Sequence, residues 1–390
     1  MNAISTGALR ADTLSTFDPA LAYINAHSFD EPTLVISRDR VLAQYKALQA
    51  GLGAARIHYA VKANPAPEVI KILADQGSGF DAASRAEIAL CLAAGAAPEK
   101  ISFGNTIKKP GDIAFAHAAG IGLFAADSLS ELEKIAAQAP GAKVYLRVLV
   151  QNSLADWPLS RKFGCAPAML PELMQAADAL GLIVHGLSFH VGSQTRQASA
   201  WAPVLDQIAP HWHAARAAGF DLQLLNIGGG FPADYGQDIA PPSQYAADVM
   251  ALVQARFGAV AEIMAEPGRG LVAGAGHIAA QVLLVARKDT ADLHRWVYLD
   301  IGRFSGLAET EGEAIRYPFL TAHDGGETGP CILAGPSCDS ADILYEKRPV
   351  QLPLALQSGD KIVIRNCGAY TSSYASVGFN GFPPLHVTVI

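Results

Sequence analysis

The chain has 390 residues, 51% hydrophobic and 17% charged, and its 29 Lys and Arg against 36 Asp and Glu give a net charge of −7. That composition supports a large buried core and excludes a disordered chain. The acidic balance also argues against a nucleic-acid partner, whose phosphates select basic surfaces.

The first thirty residues lack a clear apolar period and read as an arm or loosely attached helix, followed by a short strand at Thr33–Ser37. From Ile57 onward one unit repeats: a short β-branched run, a polar loop, then an Ala- and Leu-rich helical stretch. The strands are expected at Ile57–Lys62, Gly79–Ala83, Ile101–Gly104, Ile121–Ala125, Lys143–Val150, Val184–His190, Leu222–Ile227 and Glu262–Glu266. Helical stretches such as Pro67–Gln76, Ala86–Ala94, Ser130–Ala139, Pro167–Leu180 and Ala200–Ala218 lie between them. Eight such units predict an α/β fold, a parallel sheet closed as a (β/α)₈ TIM barrel over 38–270, with an open doubly wound sheet as the alternative. After Gly270 the pattern changes. Ile278–Ala286, Arg295–Leu299, Cys331–Ala334, Lys361–Asn366 and His386–Ile390 predict a C-terminal all-β domain over 271–390, completed by the strand of an N-terminal segment, 1–37.

No apolar run approaches the roughly 18 residues that cross a bilayer, and the first residues show no basic segment followed by an apolar block. Five scattered cysteines, Cys91, Cys165, Cys331, Cys338 and Cys367, have no CxxC spacing. A cytoplasmic protein is expected, with no membrane partner, disulfide framework or Cys-type zinc site.

Catalytic groups of such a barrel sit at the C-terminal ends of its strands, and the reactive residue types fall there. Lys62 closes the first strand. A lysine there either reaches out to solvent or, if buried and neutral, becomes a Schiff-base nucleophile. His190 and Ser193 follow the sixth strand; a histidine there is either a satisfied interior residue or a stacking partner. Gly228-Gly-Gly230 follows the seventh, as a tight turn or an anion nest. Glu266 and Arg269 follow the eighth, as a loop-holding pair or as partners for a ring nitrogen and a phosphate. Asp81 and Arg147 lie in or beside the second and fifth strands. Lysine, phosphate nest and ring-nitrogen carboxylate together match the needs of pyridoxal 5′-phosphate.

At this point the sequence resembles the fold type III pyridoxal-phosphate-dependent basic amino acid decarboxylases, most closely the ornithine or ornithine/lysine decarboxylases of bacteria. The resemblance rests on Tyr59-Ala-Val-Lys-Ala-Asn64, Phe80-Asp-Ala-Ala-Ser84, Phe189-His-Val-Gly-Ser193, Gly228-Gly-Gly230, Glu266-Pro-Gly-Arg269, Gly335-Pro-Ser-Cys-Asp339 and Gly368-Ala-Tyr370, in family order across 57–382. It implies that Lys62 carries the cofactor, that Glu266 meets the pyridine nitrogen and that His190 stacks on the ring. Ser193, Gly229, Gly230, Arg269 and Tyr370 would hold the phosphate, with Asp81 and Arg147 in support. It also implies a homodimer with shared sites, to which Cys338 contributes a proton and Asp339 a contact to the substrate's distal ammonium. Lys162 and Asp342 match a cross-subunit pair. The region 299–313 departs from the eukaryotic pattern, leaving Glu309, Glu311 and Glu313 as candidates for a second acidic contact, with Glu313 preferred.

The implied reaction is decarboxylation of L-ornithine to putrescine, with L-lysine to cadaverine as a second activity. Diaminopimelate decarboxylase is the nearest rival, although its segment typically reads Cys-Glu where this chain has Cys338-Asp339. A non-catalytic relative that binds a regulatory partner is the rival from another class.

Overall fold

The computed structural model describes residues 18–151 and 162–390. Residues 1–17 of the expected N-terminal arm, and Arg161 of the motif containing Lys162, lie outside them. The chain divides into two units. One comprises Leu42–Pro232 and Ile239–Leu271; the other comprises the segment ending at Val41, the excursion Ala233–Asp238, and Val272–Ile390.

Strand β1 (Thr33–Ile36) precedes the first unit, whose strands are β2 (Arg56–Ala60), β3 (Gly79–Ala82), β4 (Ile101–Phe103), β5 (Leu123–Ala126), β6 (Lys143–Arg147), β7 (Ile183–Ser188), β8 (Leu224–Asn226) and β9 (Glu262–Ala265). All eight pair in parallel with their sequence neighbours, and β9 returns to β2 through Arg56↔Met264 and Ile57↔Ala265, closing the barrel. The closed alternative is therefore the one adopted. The closing pairing also leaves no exposed strand edge.

Helix α1 (Pro19–Ala26) belongs to the other unit, and α2 (Arg38–Leu52) leads into the barrel. The barrel's outer helices are α3 (Pro67–Asp75), α4 (Arg85–Ala93), α5 (Pro110–Ala118), α6 (Leu129–Gln138), α7 (Leu170–Ala179), α8 (Ala202–Ala217) and α9 (Pro242–Phe257), with the single turn α10 (Arg269–Val272) after β9. Their starts are set locally. Ser84 caps α4 by accepting from the Glu87 N–H at 3.3 Å, while the Glu87 carboxylate accepts from the Ala83 N–H at 2.7 Å. This reciprocal cap fixes the chain three residues after Asp81. Proline occupies the first turn of α3, α5 and α9, where its missing N–H is no loss.

The second unit holds a nine-stranded sheet built on β10 (Gly276–Ala286), β11 (Arg295–Leu299), β12 (Phe319–Thr321), β13 (Thr328–Ala334), β14 (Ile343–Leu344), β15 (Val350–Pro353), β16 (Lys361–Ile364) and β17 (His386–Val389). Its main path runs β12-β16-β10-β11-β13-β14. Strand β1 joins it antiparallel to β10 and parallel to β17. The helix before β1 is firmly seated rather than loose. Ala20, Leu21 and Ile24 pack with Val35, Ala279, Leu320 and Val363 in one buried cluster.

Asp18 anchors that helix. Its carboxylate accepts from the Ala20 and Leu21 N–H groups at 3.0 and 3.3 Å, from His277 Nε2 at 3.1 Å, and pairs with Arg40 at 3.4 Å. The Asn366 N–H donates to His277 Nδ1, so the imidazole is the Nε2–H tautomer that Asp18 requires.

Candidate active site

At the C-terminal ends of the barrel strands the structure gathers two acids, two cations and an imidazole. Lys62 does not end β2 itself but stands in a tight turn, Val61–Ala63, immediately beyond it. Its ammonium acts electrostatically on Asp81, His190 and Glu266. Asp81, on β3, is 7% exposed, and its Oδ1 has no hydrogen-bond partner among the described residues. Room for that carboxylate comes from Gly104, where a Cβ would stand 1.7 Å from Asp81 Oδ1.

Burial raises the Asp81 carboxyl above its ordinary value, opposed by Lys62 and Arg147. Glu266 is pushed to about 7, first by burial and then by Asp81, with Asn226 and Lys62 pulling the other way. One buried and one half-buried carboxylate facing two cations are close to neutral as a group. One extra proton there is inexpensive.

Glu266 is held on both sides. Its N–H donates to the Gly228 carbonyl at 2.8 Å, and its Oε1 accepts from Asn226 Nδ2 at 2.5 Å. Asn226 in turn accepts from the Gly228 N–H at 2.9 Å. It was not among the sequence-predicted site residues. In sequence it shows only as an amide two residues before the glycine triplet; the structure pairs it in register with Met264, two residues before Glu266.

His190 is half-buried, and desolvation, then Arg147 and Lys62, hold its imidazole well below the ordinary histidine range. The Gly192 N–H donates to its Nδ1 at 3.0 Å, so the neutral ring carries its proton on Nε2. A Cβ on Gly229 would lie 2.9 Å from that Nε2, and a Cβ on Gly230, at φ +102°, would strike Val191. The glycines thus keep a backbone cradle beside the imidazole that any side chain would fill.

The cradle's other wall is polar. Arg269 is 3% exposed and its Nη2 donates to Ser193 Oγ at 3.3 Å. The Thr195 N–H donates to the Gly230 carbonyl, while Trp201 Nε1 donates to Tyr245, whose hydroxyl donates to the Thr195 carbonyl. A buried guanidinium beside a hydroxyl and open backbone suits a phosphate. An orphaned carboxylate, a neutral imidazole face and that cradle therefore fit pyridoxal 5′-phosphate.

The comparisons agree. A sequence model of the pyridoxal-dependent decarboxylase, pyridoxal binding domain, matches residues 38–273. A lysine/ornithine decarboxylase of Selenomonas ruminantium is 32% identical over 90% of this chain and 87% of its own length.

The chain belongs to the pyridoxal-dependent decarboxylases of basic amino acids.

Solved relatives extend the likeness to the whole fold. The lysine/ornithine decarboxylase of Vibrio vulnificus, solved with cadaverine, is 31% identical with a TM-score of 0.85, over 98% of this chain and 100% of that one. The arginine decarboxylase of Paramecium bursaria Chlorella virus, solved with agmatine, is 29% identical with a TM-score of 0.85, over 95% and 98%. Pyridoxal phosphate is this decarboxylase's cofactor, as in a further relative solved in complex with it, 30% identical with a TM-score of 0.86 over 96% of each chain.

In the β unit Cys338, Asp339 and Asp342 share one loop. Asp342 is buried and bound within its own chain, accepting from the Arg303 N–H at 2.7 Å and from Ser337 N and Oγ at 3.1 and 2.7 Å. Gly302 and Gly335 make room for it, since a Cβ on either would come within 2.4 Å of its oxygens. The loop it braces carries Cys338 and Asp339 exposed at its tip. Lys162, its expected partner, lies over the Phe163 ring at 4.9 Å.

Glu313 is buried, and its carboxylate is taken up by Arg316 at 2.9 Å, by Arg348 Nε at 3.0 Å and by the Lys347 and Arg348 N–H groups. Glu311 pairs with Arg303, and Glu309 is buried. Tyr370 has a left-handed backbone, φ +56°, a strained conformation for a non-glycine residue.

Proposed function

We propose that this decarboxylase converts L-ornithine to putrescine and CO₂, with L-lysine to cadaverine as a second activity, in the cytoplasm. The reading is carried by the Lys62, Asp81, His190 and Glu266 cluster, in which a lysine, a neutral imidazole and a carboxylate of raised proton affinity meet beside an anion cradle. The choice of a basic substrate is supported by the exposed Asp339 next to Cys338 and by the cadaverine complex of the Vibrio relative.

Bound pyridoxal phosphate supplies an electron sink for the pair released as CO₂ leaves. The chain's residues do the rest. Lys62 would hold the cofactor and, once the substrate arrives, be freed to accept and return protons. Glu266, steadied by Asn226, holds a proton at the ring nitrogen, because burial and Asp81 have raised its own affinity for one. His190, neutral, covers one ring face without adding charge. Ser193, Gly229, Gly230, Arg269 and Tyr370 hold the phosphate, and Asp81 and Arg147 balance the interior charge.

Cys338 delivers the proton that replaces the carboxylate at Cα, and Asp339 meets the distal ammonium. Both come from the second subunit of a homodimer in this proposal, in keeping with their exposure in the single chain. Glu313, with its carboxylate fully engaged, is better read as a brace than as a substrate contact.

CO₂ release from L-ornithine, L-lysine, L-arginine and meso-diaminopimelate tests the substrate: highest kcat/KM for ornithine is expected, and a preference for diaminopimelate refutes the reading. Mixing Lys62→Ala with Cys338→Ala chains tests the shared site. Random exchange should restore about a quarter of wild-type activity, one intact site in half the dimers. No recovery despite proven exchange would exclude it.

A further inference from the structure

A second cavity, of about 490 Å³, opens at the opposite end of the barrel, where the strands begin. Barrel interiors are normally filled by successive layers of side chains, and here the last layer is missing. The cavity lining includes Gly120, Gly122 and Gly141, which carry no side chain to fill it. Arg56, 68% exposed, instead leans toward Glu262 at 3.4 Å. The floor is apolar: Leu224 and Met264 line the cavity and pack with Ala125 and Tyr145 in a buried layer.

Two groups in this cavity are chemically unfinished. His58 is 7% exposed, and its Nδ1 has no hydrogen-bond partner among the described residues. Burial, then Arg56, hold this imidazole at about 4, so it is neutral, and its hydrogen bond to the Phe80 backbone leaves Nδ1 with a free lone pair. Lys143 is the other. It is exposed and has no carboxylate within ion-pairing distance among the described residues. His58 lies on β2 and Lys143 on β6, four strands away in a closed ring of eight, so the two face one another across the mouth.

We propose that this cavity binds a small amphipathic monocarboxylate bearing a hydrogen-bond donor at its far end, such as a hydroxyaryl carboxylate. The carboxylate pairs with Lys143, the apolar body lies on Leu224 and Met264, and the hydroxyl donates to His58 Nδ1. Glu99 and Glu262 at the rim disfavour a dianion such as a phosphate ester. The volume lies within the ordinary range for small-molecule sites. The chemistry differs from that of the active site, which is built for a phosphate and a basic amino acid.

Calorimetric titration of the holoenzyme, with putrescine saturating the active site, tests the proposal. The probes are 4-hydroxyphenylacetate, phenylacetate, which lacks the donor, and 4-methylphenol, which lacks the carboxylate. One site per chain is expected for the first, with the other two about tenfold weaker or worse. Lys143→Ala should weaken 4-hydroxyphenylacetate by about tenfold and leave decarboxylation unchanged. His58→Phe, if it folds, should erase the advantage of the hydroxyl while sparing phenylacetate. Absence of saturable binding, displacement of the probe by putrescine, or undiminished binding to Lys143→Ala would each overturn the proposal.

Discussion

Replacing Glu266 by glutamine should stabilise the cofactor-free protein while disabling it. The native carboxyl titrates at about 7 instead of 4.5 because it is buried and lies near Asp81. Below pH 4.5 it is protonated in both folded and unfolded chains and contributes nothing to their difference. Between 4.5 and 7 only the unfolded chain ionises, so wild-type stability falls as pH rises. Above 7 the loss is complete, about 3 kcal/mol at about 1.4 kcal/mol per pH unit.

Glutamine does not titrate, yet its carbonyl can still accept from Asn226 Nδ2. The gap between variant and wild type should therefore open from pH 4.5, level off above pH 7, and approach 3 kcal/mol. Thermal unfolding of both proteins without cofactor, from pH 4.5 to 8, reads this directly. Decarboxylation by the reloaded variant should fall by at least about a hundredfold, the scale of losing one preorganised electrostatic contact. A variant no more stable than wild type, or a gap independent of pH, would refute the reasoning.

Lys108 is wholly buried, with Nζ bonded to the Ala125 and Asn105 carbonyls at 2.6 and 2.8 Å and paired with Glu131 at 3.0 Å. Lys108→Met should cost about 3–5 kcal/mol in denaturant unfolding, because it strands the two carbonyls and leaves the buried Glu131 with Lys134 alone. Removing Glu131 as well should recover part of the loss. Gly104→Ala drives a Cβ into Asp81 and should reduce kcat about a hundredfold with the fold retained by circular dichroism. Asp18→Ala removes a helix cap and leaves His277 Nε2 without its acceptor. It should destabilise the β unit by about 2–4 kcal/mol and expose α1 amides to hydrogen exchange. Burial is the largest single influence and opposes ionisation of Asp18, but His277, Arg40 and the Leu21 N–H together outweigh it, so the carboxyl sits below its usual value. That contribution is present above pH 4 and should fade as the pH falls through the lowered value.

The barrel was legible because its strands are short, largely apolar runs that alternate with polar loops and Ala-rich helical stretches, a rhythm that tertiary context reinforces. Strands β12, β14 and β15 were not legible. They are only two to four residues long, and Pro318 and Pro349 stand directly before β12 and β15, so neither alternation nor length marks them. Within the site, Lys62, Asp81 and Glu266 stood out as charges at the ends of apolar strands. Asn226 did not, because an amide before a glycine triplet looks like turn chemistry. Asp342 and Glu313 show a related limit. Spacing does not distinguish a carboxylate that faces a substrate or partner from one that turns back onto N–H groups and arginines of its own loop.

The pairing of β1 has a consequence for the order of folding. Its two neighbours, β10 and β17, lie about 240 and 350 residues further along the chain, with all eight barrel strands between it and either of them. Loop-closure entropy delays such distant pairings. A chain emerging from the ribosome can therefore complete its barrel while β1 is still an unpartnered apolar segment. Thr33–Ile36, rather than any barrel strand, is the stretch most exposed to mispairing during synthesis, and the stretch that a chaperone would have most reason to cover.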